Sequence, residues 1–161
     1  MSNREFFASM LAGETGRFAS VLAAVPADKL DWRPEPKART AGELIAHLIG
    51  HDQDLEELAT TGSIHHRVHV PFDDHAHALR LFAESRDAAV GAVKACDDAS
   101  WAAPGRFFVG EQLVYELPRL QLAWILFLDA VHHRGQLSTY LRPMGSTCPS
   151  IYGPSADTRP A

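Results

Sequence analysis

Only two cysteines occur in the 161 residues, Cys96 and Cys148, far apart and outside any CxxC spacing. That scarcity excludes a disulfide framework and a thiolate zinc site. No apolar run approaches the roughly 20 residues that a membrane-crossing helix needs, so no membrane partner is expected. The opening MSNREFFASM lacks the basic-then-apolar order of a signal peptide, and the expected location is the cytoplasm. Positive charge is also short: 15 Lys and Arg against 20 Asp and Glu leave a formal net charge of −5. Without a basic stripe the chain has no surface for releasing phosphate counterions, which excludes nucleic acid as its partner. Fixed-period repeats and low-complexity tracts are absent as well.

What is present is an ordinary globular composition, 46% hydrophobic and 22% charged. A chain of this length can bury one core, so a single domain over residues 1–161 is expected, with residues 146–161 as an extended C-terminal tail. Histidine is the compositional oddity. Nine occur, grouped as His47 with His51, a run from His65 to His77, and His132 with His133.

Four amphipathic segments can be read. In residues 3–24, Phe6, Phe7, Met10, Leu11, Phe18, Val21 and Leu22 recur at helical spacing, and Pro26 ends the pattern. Residues 26–39, with three prolines and the string Asp31-Trp32-Arg33-Pro34, read as an extended loop. Thr40 and Glu43 form a capping box that opens a second helix, which Gly62 closes. Residues 63–71 read as a surface loop. Asp73 or Asp74 caps a third helix that runs to about Cys96. Residues 106–109 can form an extended segment with no visible partner. The last helix begins near Gln112 or after Pro118, and Pro143 with Gly145 stops it. Four such segments predict an all-α fold, a helix bundle whose interior polar sites are built from facing helices.

On the last helix, Asp129, His133, Gln136 and Tyr140 share one face of an otherwise apolar segment. Facing the core, such a line needs partners, and a metal supplies them: a carboxylate and an imidazole one turn apart can bind one ion. His47, within the apolar run 44–49, is the best third ligand, and His51 one turn later is its rival. From spacing alone, Asp129 with His133 can equally be a hydrogen-bonded pair, and His47 a satisfied core histidine. His132 is rotated by about 100° from His133 and should not share its ion. The group His65, His66, His69, His75 and His77 has no regular ligand spacing and reads as solvated. Arg134 reads as a surface or salt-bridge residue, Gly135 as a site of close helix packing, and Trp32 as packed on the bundle.

The string His132-His133-Arg134-Gly135-Gln136-Leu137-Ser138-Thr139-Tyr140-Leu141-Arg142 resembles the C-terminal signature of the DinB/YfiT-like family of metalloenzymes. Similar features are the loop 31–34, the helix entry 42–48 and the tail 149–155; residues 62–110 match only in helical character. The resemblance implies an up-down-down-up four-helix bundle, usually a homodimer. It also implies a divalent ion held by residues that fall here on His47, Asp129 and His133, with Asp129 standing where the commoner pattern has histidine. Zinc or nickel is the expected metal, with manganese or iron next, and Gln136 and Tyr140 would orient ligands or substrate. The implied function is transfer of a low-molecular-weight thiol, of the bacillithiol, mycothiol or glutathione type, to an electrophile in detoxification or stress response. A metal-dependent hydrolase and a non-catalytic metal- or ligand-binding stress protein are the rivals, and His51 is the first candidate for a general base.

Overall fold

The computed structural model describes residues 1–67 and 69–158. Four long helices carry the fold: α1 (Asn3–Ala23), α2 (Ala41–Thr61), α3 (His75–Ala95) and α5 (Arg119–Tyr140), with a one-turn-plus helix α4 (Asp98–Ala102) before a hairpin. Their ends are set by local chemistry. Ser2 and Glu5 form a capping box on α1, Thr40 and Glu43 form the expected one on α2, and Asp74 accepts from the His77 N–H to start α3. Gly62 ends α2 at φ 82°, a left-handed conformation that glycine adopts without a Cβ penalty.

Helix α2 packs against α3 and α5, and α1 packs against the same two. The all-α expectation needs correcting, because a three-stranded sheet covers part of the helical body. Its strands are β1 (Ser63–His65), β2 (Pro104–Val109) and β3 (Gln112–Pro118). Strand β1 pairs in parallel with β2, and β2 antiparallel with β3. Residues 63–65 are therefore not a surface loop: Ile64 is fully buried, and the partner that residues 106–109 lacked in the sequence is supplied on both sides. Residues 112–118 are strand, so the last helix starts after Pro118. Of the 63–71 loop, Val68 lies outside the described residues.

Two apolar clusters fill the interior. One gathers Phe18, Leu44, Ile45, Leu48, Phe82, Leu137 and Leu141; the other gathers Phe7, Leu11, Leu55, Leu58, Val93, Leu122 and Leu126. Every long helix also contributes buried polar groups, Glu14 from α1, His51 and Asp52 from α2, Arg86 from α3 and Arg134 from α5, and the Arg86 and Arg134 guanidinium groups each lie 4.6 Å from the Phe18 ring, forming a polar belt. Arg86 Nε donates to Asp52 across 3.0 Å, and Arg134 pairs with Glu14. Arg134 is thus a core residue and not a surface one. A Cβ at Gly135 would meet nothing within 4 Å, so this glycine does not serve close helix packing. Trp32 does pack inward, edge-on to the Tyr140 ring at 5.2 Å.

Candidate metal centre

The polar belt is densest where α2 faces α5. The His47 and His51 rings, one turn apart on α2, are buried to within 4% and 3% exposure in the apolar environment that the sequence pattern implies. Asp129 and His133, one turn apart on α5, meet them. Asp129 Oδ2 lies 2.8 Å from His51 Nε2, 3.3 Å from His47 Nε2 and 3.4 Å from His133 Nε2. His47, His51 and Asp129 offer ligand atoms that all lie within 4.8 Å of one another. The structure thus brings together the three sequence candidates and adds His51, with Nε2 directed at the same oxygen. His132 is exposed and outside the group.

The electrostatics favour metal-ready protonation states. Burial pushes the His47 imidazole down to about 3, with the neighbouring His51 and Arg39 acting in the same direction. Burial also lowers His133. The hydrogen bond with His51, aided by the charges of His133 and His51, holds the Asp129 carboxyl well below the usual carboxylate range in spite of its burial. At neutral pH His47 therefore offers a lone pair and Asp129 a charge, the forms that coordinate a cation.

One further observation fits the residues to a divalent ion. Gln136 Nε2 donates to the Tyr140 hydroxyl at 3.1 Å, which turns its Oε1 to His133 Nδ1 at 2.9 Å. His133 Nδ1 then carries the proton, and its Nε2 lone pair faces the Asp129 oxygen. Two lone-pair groups face each other comfortably only with a cation or proton between them. Nδ1 of His47 and of His51 are buried without a hydrogen-bond partner among the described residues, so neither ring is held by the contact on its far nitrogen that usually orients a ligand histidine. Gln136 and Tyr140 thus stand where the sequence put them, behind a candidate ligand. The Asp129 side chain, 43% exposed, marks the open side.

Sequence reading missed one component. The His66 Nδ1–H donates to Asp54 across 2.6 Å, and the Asp54 carboxylate is fully buried and also accepts from the Arg67 guanidinium at 3.2 Å. The His66 ring lies 5.7 Å from that of His51 and 5.8 Å from that of His47, centre to centre. Far from being solvated, it closes the wall of the cluster. Gly50 permits this: a Cβ there would sit 2.6 Å from the Arg67 carbonyl oxygen, so only glycine lets the 66–67 segment cross α2 this closely. The signal available in the sequence was Gly50 within a good helix, followed by a histidine pair.

A family model described as the DinB superfamily matches residues 10–137. Among solved structures, a DinB-like protein from Bacillus cereus is 20% identical at a TM-score of 0.75, covering 92% of this chain and 97% of that one. A DinB-like protein from Bacillus subtilis is 14% identical at 0.71, covering 95% and 99%. The mycothiol-dependent maleylpyruvate isomerase is 13% identical at 0.54; the match covers 97% of this chain but only 64% of that one. None of the curated proteins matches the chain. Among the described residues no helix is long and apolar enough to cross a membrane.

Proposed function

The chain belongs to the DinB superfamily, and from that premise we propose that it is a divalent-metal-dependent enzyme transferring a low-molecular-weight thiol to an electrophile. The observation that carries this reading is the convergence of three imidazole Nε2 atoms on one half-exposed carboxylate at the polar waist of the helices. His47, Asp129 and His133 hold the ion, with His51 as a fourth donor. A nitrogen-rich set with one carboxylate suits zinc or nickel ahead of manganese or iron. A bound divalent cation supplies Lewis-acid activation, lowering the pKa of a thiol or water so that a nucleophile exists at neutral pH.

The chain's own residues do the rest. Asp129 leaves one side open to substrate, while Gln136, anchored on Tyr140, fixes the His133 ring. His51 is committed to the centre as a donor, so the role of proton acceptor passes to His66. Its Nδ1–H is committed to Asp54, and its Nε2, without a hydrogen-bond partner among the described residues, takes the thiol proton. The fold-level likeness to a mycothiol-dependent isomerase supports a thiol co-substrate of the mycothiol, bacillithiol or glutathione type. Exposed Phe6 and Met10 on α1, with Ile125 and Leu128 on α5, support a homodimer, and the family's up-down-down-up helix order and a cytoplasmic setting complete the proposal.

Metal content of tag-free protein, compared with Asp129→Ala and His133→Ala, tests the centre: about one ion per chain is expected, lost in both variants. A screen of the three thiols against chlorodinitrobenzene tests the reaction. Metal-dependent conjugation is expected; ester hydrolysis without conjugation would reassign the protein as a hydrolase, and inactivity with full metal would leave a binding protein.

A further inference from the structure

The loop between α1 and α2 carries Lys29, Arg33, Lys37 and Arg39 against Asp28, Asp31 and Glu35, and three of its four cations gather on one side. Arg33, Lys37, Arg39 and His69 line a cleft of about 450 Å³, joined by Ala38 and Glu43. This volume suits a small molecule. The loop is held firmly: the Gly42 N–H donates to the Leu30 carbonyl at 2.8 Å and the Ala41 N–H to the Trp32 carbonyl at 2.9 Å, while Trp32 packs on Tyr140. The cations are thus carried on an anchored segment.

The one acid in the cleft is already engaged. Glu43 accepts the Thr40 N–H at 2.7 Å as the second half of the capping box, and Arg33 Nη2 lies 4.0 Å away. Three fixed cations against this carboxylate leave the cleft net positive. Nη1 of Arg39 is buried without a hydrogen-bond partner among the described residues. An oxyanion is the group that pairs most strongly with a guanidinium lining a cleft.

The cleft also adjoins the metal centre. Glu43 is one turn before His47 on the same face of α2. The Arg39 charge reaches both His47 and His133, disfavouring their protonated forms. We propose that the cleft formed by Arg33, Lys37, Arg39 and His69 binds a carboxylate of the substrate, so that the molecule acted on at the centre is a small carboxylic acid. Its role as a substrate subsite rests on the metal-centre reading; its affinity for carboxylate does not. Arg39 is the specificity residue, because a planar guanidinium can take a carboxylate through two parallel hydrogen bonds.

Calorimetric titration with succinate, with its neutral diamide and with inorganic phosphate tests this on metal-loaded and on metal-free protein. The expected result is succinate binding in both forms, no diamide binding, and a dissociation constant raised at least about tenfold by Arg39→Gln and less by Lys37→Gln. Lys94→Gln, a cation remote from the cleft, should change nothing, and metal content should be the same in all three variants. Succinate binding seen only with metal and indifferent to Arg39→Gln would put the carboxylate on the ion and overturn the proposal. Absence of succinate binding, or tighter binding of phosphate through the same residues, would overturn it too. If Arg39-dependent binding persists in a protein that never holds stoichiometric metal, the metal-centre reading has failed and the cleft has not.

Discussion

Replacing Arg86 by methionine keeps most of the side chain's volume and removes its charge from the middle of the protein. Asp52 and Arg86 are each 1% exposed and meet at 3.0 Å. Arg86 also donates to the Leu11 carbonyl at 3.3 Å, and its guanidinium lies over the Phe18 and Phe82 rings at 4.6 and 5.2 Å. Burial raises the Asp52 carboxyl to about 6 even with Arg86 opposing it. Without Arg86 it must rise further. Breaking a buried pair by removing one partner costs about 3–5 kcal/mol, or roughly 6–20 °C in Tm for a chain of this size. The sign of the pH dependence follows from linkage: an acid whose folded pKa exceeds its unfolded value penalises folding once pH climbs above the unfolded value, and the penalty grows up to the folded pKa. Arg86→Met should therefore destabilise more at pH 8 than at pH 5, where Asp52 is protonated in the folded state. Asp52→Leu/Arg86→Met, with both charges gone, should regain most of the loss. Urea unfolding in chelator, which keeps metal binding out of the reference state, measures all of this. A single-variant loss below about 1 kcal/mol, equal losses at the two pH values, or a double variant no better than the single would refute the account of the polar waist.

Metal-free protein should lose stability on mild acidification through His47. Its folded pKa is depressed from 6.5 to about 3, so its contribution is fully present above 6.5 and is lost as pH falls toward 3, at about 1.4 kcal/mol per unit. Denaturation curves at pH 7 and 5 should differ by about 2 kcal/mol more in the wild type than in His47→Gln; equal slopes would show that His47 is not held neutral. Gly50→Ala and Gly91→Ala should have opposite effects although both glycines are helical. At Gly50 the added carbon meets the Arg67 carbonyl at 2.6 Å, whereas at Gly91 it meets nothing within 4 Å. The first should destabilise by about 1–3 kcal/mol through overpacking and the second stabilise by up to about 1 kcal/mol through helix propensity, as read from urea midpoints.

The four long helices were legible along the chain because capping and periodicity are local: Thr40 with Glu43, Asp74 and Gly62 act within one turn of themselves, whereas the short α4 and the choice between Gln112 and Pro118 for the start of the last helix were not decided there. Asp129 and His133 were legible for the same reason, lying one turn apart on a single helix, and the apolar run around His47 marked that residue as inward-facing. The sheet was not legible. Strand β1 has three residues, and its pairing joins residues 63–65 to 106–108, a contact with no trace in local pattern. Nor was the place of His51, which is decided by how α2 rotates against α5, or that of His66, which is decided by Asp54 and by the missing Cβ at Gly50. In sequence Arg134 reads as a surface or a salt-bridge residue, and only packing decides for the bridge, to Glu14, and joins Arg86 to Asp52 in the interior. Local energetics determined the four long helices and which residues offer donor atoms. The tertiary structure alone decided which donors share one carboxylate, since that depends on distances between segments that neighbour each other only in space.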